Sequence, residues 1–520
     1  MAWTEQPDGP WTRPLDCHDR LFQFTSDQGK PLNREHWLLV GTVRMELPPT
    51  KLDPAEELCQ AWKRLRLQHP DIALELTEAR EKRYLPVSSP EALNAWCDAT
   101  FRIETDVLSA DHLFTDRLRR AAPQATCHWV PASGELVLVS QHWRWDGCGL
   151  LMMLHELLAQ LEQPTPTPEL DGREAGRLVP SLDVVLGMPD TKPIWEKQAG
   201  EMLAPFLSGM PSIGLREPGR TDTPAPAKTI RVEHVVSSSL TASLRRAARS
   251  QHQITVTSAV HAAAIAATVR ANPSSPPATR FTSWAMFDLR KHCPPPFDGP
   301  LHAPSLRTLG IPISLDAHAA WPDLAHALQA VYHQPWTPPA SDLVFVRVPL
   351  VDKALEMLAQ DHQDMPPPSE PSISSLGILD RYVRSRYAGN IKVTNVSVAV
   401  HQLSQQLQKN ATHLAFAHEA ELQGINHREG QEKNGEIDDG IGNLQTQADA
   451  TAGEAVFDGA HGIPEHVDRA ALKDTEEDKH EEPENRERHG EISVALEHDG
   501  DGEQAVEEGE DREFDEGDAV

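Results

Sequence analysis

What this sequence lacks narrows its possible functions before any motif is read. Its 520 residues hold only six cysteines, Cys17, Cys59, Cys97, Cys127, Cys148 and Cys293, and none form a Cys-x-x-Cys pair. A disulfide framework and a compact zinc site are therefore not expected, and the thiols read as reduced. There is no Gly-x-Ser-x-Gly elbow and no phosphate-binding P-loop, and Gly147-x-Gly149 lacks the third glycine of a dinucleotide fingerprint. No run approaches the ~20 apolar residues of a membrane span. The nearest, residues 258–269, is too short and carries His261. The first thirty residues have no basic start and no apolar core, so a secretory leader is not expected and a cytoplasmic location is. Positive charge is also scarce. Lys and Arg number 48 against 78 Asp and Glu, a net of -30, which argues against a nucleic-acid partner.

The acid is unevenly spread. Residues 421–520 carry 32 acidic and 8 basic side chains, and all 12 Trp and all 4 Tyr lie before them. That is the high-charge, low-hydrophobicity signature of disorder, and it accounts for the low mean hydropathy of -0.46. The preceding 420 residues are close to balanced, with 46 acidic and 40 basic, and are long enough to bury a large core.

Within that part, strands and helices alternate irregularly. Residues 37–45 predict a strand. Asp53-Pro54 opens a helix as cap and first residue, with Leu58, Trp62 and Leu65 at helical spacing. Residues 72–76 predict a short strand, and Ser89-Pro90 a second helix. Thr126–Val130 and Glu135–Ser140 predict a hairpin. Pro-rich stretches at 163–190 and 208–228 read as linkers, with a helix at 195–207 between them. Beyond them come a strand at 229–236, a helix from Ser239 to Arg249 and an Ala-rich helix at 258–271. Strands at 280–290, 311–315 and 391–400 come next, with helices near 320–333 and 350–360. The division this gives is a lead-in at 1–30, a first lobe at 31–190, a linker and crossover at 191–228, a second lobe at 229–405 and a disordered acidic tail at 406–520. The fold class is α+β, in two layered halves.

The chain is organised around Ser140-Gln-His-Trp-Arg-Trp-Asp-Gly-Cys-Gly149, which contains His142-x-x-x-Asp146-Gly147. A Val/Leu-rich strand precedes it. A Leu/Met-rich run too long for a strand comes after it and predicts a buried helix. His142 thus leaves a strand end, and Gly147 and Gly149 turn the chain into a helix, where glycine tolerates demanding backbone angles. An imidazole held still beside a fixed carboxylate suits proton transfer near neutral pH.

That segment resembles the His-x-x-x-Asp-Gly motif of the coenzyme A-dependent acyltransferases, which group plant BAHD enzymes, fungal trichothecene O-acetyltransferases and peptide-synthetase condensation domains. Trp284-Ala-Met-Phe-Asp-Leu-Arg290 resembles the family's later strand ending in Asn/Asp-Leu-Arg, and Ser374-Ser-Leu-Gly-Ile-Leu-Asp380 its Ser-x-Leu-Gly-x-Asp-type segment. The three occur in the family's order, and the likeness spans roughly residues 30–400. It implies a two-lobed chloramphenicol-acetyltransferase-like fold with the active site between the lobes, in a tunnel that admits acyl-CoA and acceptor from opposite sides. It implies His142 as general base and an Asp146 turned away from it, paired with an arginine, for which Arg290 is the candidate. Gly147 would serve backbone geometry. Trp143 and Trp145 would pack or line the tunnel, and Ser374 or Ser375 would supply an oxyanion donor. Acyl-CoA is then a co-substrate, no metal is needed, and a monomer acting on a small hydroxylated metabolite is expected.

The chain departs from the pattern in places. It has no Asp-Phe-Gly-Trp-Gly segment, and after Val400 it runs into Gln-rich and then acidic sequence. An incomplete second lobe and a divergent tail are both open readings. A degenerate, non-catalytic protein is the rival from another class. A condensation-type enzyme using a carrier-protein thioester is a variant against which Gln141, in place of that motif's first His, argues mildly. Arg245, Arg246 and Arg249 read as a solvated helix face, with the coenzyme A phosphates as the sharper alternative.

Overall fold

The computed structural model describes residues 2–48, 53–162, 170–215, 227–271, 279–334, 343–360, 370–387 and 391–402, together with the backbone of Ala411–His418 and Gly490–Gly500. The chain divides into one unit of Met1–His418 with Glu491–Val520 and a second of Glu419–Gly490. The first unit carries the layers and the segment around His142.

Its first layer is a six-stranded sheet in the order Arg386–Tyr387, Ile391–Val400, Leu38–Glu46, Glu135–Gln141, Thr126–Val130, Phe101–Ile103. Leu38–Glu46, Glu135–Gln141 and Thr126–Val130 are buried on both faces along most of their length, as helix-covered strands are, and the first two are rich in Val and Leu. The helix Pro54–Gln68 starts as its sequence requires, with Asp53 accepting the Ala55 N–H and Pro54 at the first position. The 16-residue helix Gly147–Glu162 packs over the sheet. Its Leu150, Leu151, Met153, Leu154, Leu157 and Leu158 are buried. A run of large apolar residues at such spacing has no solvent face, which is why it lies in the core.

Two boundaries differ from the sequence reading. The first thirty residues are folded into the lobe. Thr4–Glu5 and Trp11–Pro14 pair into a four-stranded sheet with Glu75–Leu76 and Glu81–Tyr84. The helix Cys17–Asp27 comes next, closed by a reciprocal capping box between Asp16 and Asp19. The second difference is the strand Ile391–Val400. It belongs to the first lobe's sheet, antiparallel to Leu38–Glu46 with Val396 opposite Val43 and Val400 opposite Leu39. The alternating β-branched pattern predicts the strand but cannot name its partner.

The second layer pairs Arg280–Asp288 with Thr308–Asp316 in an antiparallel hairpin. The helices Val256–Ala271 and Trp321–Tyr332 pack together against it, and Pro193–Ser208 and Leu343–Leu358 pack as another pair. The first member of that second pair falls in the stretch read as linker and crossover, yet its Trp195, Leu203 and Phe206 are buried. A further sheet runs Ser372–Ile378, Ala411–His418, Gly490–Gly500, Lys228–Val236. Two of these strands, Ala411–His418 and Gly490–Gly500, fall within the stretch read as a disordered tail and pair through the backbone with Ser372–Ile378 and Lys228–Val236. The rest of 403–520 lies outside the described residues. No helix among the described residues is long and apolar enough to cross a membrane.

Candidate active site

The strand Glu135–Gln141 delivers His142 at its end, and the helix begins at Gly147. Between them the loop is held from inside by Arg144. This residue is buried, and its guanidinium donates to Ser140 Oγ at 2.6 Å and to the carbonyls of Leu74, Pro123 and Asp71 at 2.7, 2.9 and 3.2 Å. Burial pulls its pKa down to about 9, against the pull of Asp71, Glu35 and Glu75. Nothing at sequence level marks Arg144 as a clamp, because its partners are backbone carbonyls supplied by distant turns.

Asp146 is the most heavily engaged residue of the segment. It is buried, and its carboxylate accepts from the Gly149 N–H at 2.8 Å, the Arg307 N–H at 2.7 Å and Arg290 Nη1 at 3.0 Å. Burial alone would raise its pKa, but Arg290 and the backbone donors outweigh this and hold it below the usual carboxylate value. Arg290 is fixed in turn by Asp288 at 3.1 Å. The structure therefore brings together Asp146, before the helix Gly147–Glu162, and Arg290, after the strand Arg280–Asp288, 144 residues apart. Sequence reasoning missed Arg307. Its contribution is a main-chain N–H, which no side-chain pattern signals.

The glycines act through space. Neither Gly147 nor Gly149 has a positive φ, so the turn into the helix does not draw on glycine's backbone freedom. A Cβ on Gly149 would stand 2.4 Å from the Ala303 carbonyl oxygen and 3.1 Å from Arg290 Nη2. A Cβ on Gly147 would stand 2.8 Å from Leu376 Cδ2. At Gly149 only hydrogen lets the Ala303 backbone approach the helix start so closely, whereas at Gly147 the neighbour is the end of a leucine side chain, which can shift.

His142 is half-buried. Its ring stacks on Phe22 with centroids 4.2 Å apart and planes 19° apart, and Trp37 tilts against it at 6.1 Å. Its Nδ1 is buried without a hydrogen-bond partner. The carbonyls of His142 itself and of Trp145 lie near enough to favour a protonated ring, without reaching hydrogen-bond geometry. Burial dominates and pushes the pKa down to about 4, opposed by those carbonyls and by Asp146. The imidazole is neutral at pH 7, as a proton acceptor must be.

Trp143 and Trp145 are both fully buried in the first lobe's core. Trp143 donates from Nε1 to Gln141 Oε1 at 2.8 Å and has Lys82 and Arg144 over its ring. Ser374 and Ser375 lie half-buried on Ser372–Ile378, and Ser375 Oγ sits 3.3 Å from Thr257 Oγ1. Their strand borders the motif through Leu376 and Gly147, but neither serine is hydrogen-bonded to His142. The helix Ser238–Ser250 exposes Arg245, Arg246 and Arg249 to solvent. No cluster of His, Cys, Asp or Glu among the described residues could hold a metal ion.

No protein-family model matches the chain. Among curated proteins it is 29% identical over 419 residues to the acetyltransferase pigO of Monascus ruber, covering 78% of this chain and 89% of that protein. It is 28% identical over 423 residues to the O-acetyltransferase pigM of the same organism, covering 78% and 79%. Among solved structures, the trichothecene 15-O-acetyltransferase TRI3 of Fusarium sporotrichioides aligns with a TM-score of 0.65 at 13% identity, over 80% of this chain and 91% of that one. The mixed helix and strand fold is thus similar to that of TRI3.

Proposed function

We propose that this protein is an O-acyltransferase that moves an acyl group, acetyl in the simplest case, from coenzyme A to a hydroxyl of a small secondary metabolite. The observation that carries the reading is the split of roles within His142-x-x-x-Asp146. The carboxylate is spent on Arg290 and two backbone donors, while the neutral imidazole makes no hydrogen bond to any side chain. In a charge-relay pair the two would face each other. Here the histidine is left to act alone as base, and the aspartate builds the wall it stands on.

The chemistry is a single acyl transfer. The acceptor O–H gives its proton to the imidazole as oxygen attacks the thioester carbonyl carbon. The C–S bond then breaks, and the imidazolium returns the proton to the departing thiolate. With Nδ1 buried against the loop, Nε2 is the nitrogen left to exchange that proton. General-base assistance of this kind is worth about 10²–10⁴ in rate. The names and fold of pigO, pigM and TRI3 support acetyl transfer in fungal secondary metabolism. Ser374 or Ser375 is proposed as oxyanion donor and coenzyme A as the donor's carrier.

The test is thiol release from acetyl-CoA with a panel of hydroxylated polyketides and terpenoids, for the full chain and for His142→Ala. Release that drops at least a hundredfold in a folded variant supports the reading. Equal release by both proteins sinks it.

A further inference from the structure

Histidine rings at reactive sites are ordinarily aimed by a hydrogen bond on the nitrogen that does not react. On His142 that nitrogen, Nδ1, meets only its own carbonyl and that of Trp145, and neither reaches hydrogen-bond geometry. These contacts hold the ring loosely, and the structure adds one face-to-face contact. We propose that Phe22 is a positioning residue for His142, fixing the imidazole plane by stacking where a hydrogen bond would usually do so. The proposal rests on the acyl-transfer reading for what the imidazole is aimed at, though not for the stacking itself.

Three observations support it. The first is the contact, 4.2 Å between centroids with planes 19° apart, in the range of an offset stack. A ring so placed blocks rotation of the imidazole about its Cβ–Cγ bond without occupying either nitrogen.

The second is how firmly Phe22 is itself held. It is buried, on the helix Cys17–Asp27. The start of that helix is anchored by Asp19, which pairs with Arg13 at 3.0 Å and Lys82 at 2.6 Å. Its end is anchored by Ser26, which donates to Glu35 at 2.9 Å. The same helix reaches the second lobe. His18 Nδ1 lies 3.1 Å from Arg347 Nη1, and Arg20 pairs with Asp352 at 2.7 Å, both on Leu343–Leu358. Such pinning suits an element whose position must be reproducible, and exceeds what filling one core site needs.

The third is Trp37, which closes the other side of the aromatic group, 5.5 Å from Phe22. Its φ is 59°, in the left-handed region that a bulky residue rarely enters. The strain is held by its N–H, which donates at 2.7 Å to the carbonyl of His401. Strained backbone of this kind collects at functional sites.

The experiment uses the full chain with ¹³C-labelled histidine, the His142 Cε1–H signal being assigned by its loss in His142→Gln. In the wild type we expect a single, upfield-shifted signal with a nuclear Overhauser effect to the Phe22 ring. In Phe22→Leu, which keeps an apolar side chain but removes the ring, the signal should move downfield and split or broaden. Phe22→Tyr should restore it. Absence of the Overhauser effect in the wild type, or an unchanged signal in folded Phe22→Leu, overturns the proposal. Kinetics add a second reading. Phe22→Leu should lower kcat about a hundredfold, as misplacement of a base by about 1 Å can, with KM for acetyl-CoA changed less than about threefold. Phe22→Tyr should recover most of the loss, and an unchanged kcat in Phe22→Leu overturns the aiming role. If the wild type shows the stack but neither binds nor turns over acetyl-CoA, the acyl-transfer reading fails while the stacking stands.

Discussion

Replacing Asp146 by Ala should unfold or loosen the junction of the lobes before it does anything else. The carboxylate is buried and takes three donors, Gly149 N–H, Arg307 N–H and Arg290 Nη1, all within 3.0 Å. Truncating it strands two main-chain donors and leaves a buried guanidinium with Asp288 as its remaining carboxylate. Removing one partner of a buried ion pair costs about 3–5 kcal/mol. That is a large share of the ~5–15 kcal/mol by which folded proteins are stable. The size can be checked by a double-mutant cycle in urea on Asp146→Ala, Arg290→Met and the pair. Each single variant should lose several kcal/mol, and the pair should lose less than their sum by about 0.5–3 kcal/mol. pH supplies a sign test. The folded-state pKa of Asp146 is depressed, so its stabilisation is complete above the unfolded value near 3.9 and fades as pH falls below it. The wild type should therefore lose stability in that window and Asp146→Ala should not share the loss. The reasoning is refuted if Asp146→Ala keeps wild-type stability within about 0.5 kcal/mol and yet has no activity. Asp146 would then belong to the chemistry.

Other outcomes can be stated more briefly. Gly149→Ala places a Cβ 2.4 Å from the Ala303 carbonyl oxygen, so it should cost at least about 1–3 kcal/mol as overpacking does, read as a lower urea midpoint at unchanged slope. Because burial holds His142 down to about 4, kcat/KM should stay flat from pH 8 to about pH 5 and fall only as the ring gains its proton nearer 4. A fall beginning near the ordinary value of about 6.5 would show that the imidazole is solvated. Cys59, half-buried with Sγ 2.9 Å from Cys97 Sγ and its pKa drawn down to about 7 by that neighbour, should be the first thiol alkylated at pH 7.5. Peptide mapping after a brief iodoacetamide pulse checks this, and preferential labelling of buried Cys127 would contradict it.

How much of this could be read in the sequence depended on whether the signal was local. The strand–loop–helix around His142 was legible, because a Val/Leu strand, two glycines and a Leu/Met run fall within thirty residues of one another. The pairing of Asp146 with Arg290 was reachable only through the family resemblance, which implies an arginine partner for the aspartate and offers Arg290 at the end of its second motif. Arg307 was not reachable, since its donor is backbone, and neither was Phe22. The latter lies 120 residues upstream in a stretch whose prolines and polar residues hid a capped helix, and a capping box at Asp16 and Asp19 was the one clue. The partner of Ile391–Val400 was beyond reach for a related reason. Alternation shows which side chains share a face, but it carries no address for the strand alongside.

That strand has a consequence for how the protein is made. Leu38–Glu46 lies between Glu135–Gln141 on one side and Ile391–Val400 on the other. Counted from Leu38–Glu46, the first neighbour emerges roughly 100 residues later and the second roughly 350, so at about 5–20 residues per second the second edge waits about 20–70 s. Throughout it, an apolar strand edge has no mate, the condition under which chains add to one another. The first lobe cannot close until most of the second has been synthesised, so expressing either half alone should yield aggregate. Slower translation or a holding chaperone should matter more to the yield of soluble protein than small gains in the stability of the finished fold.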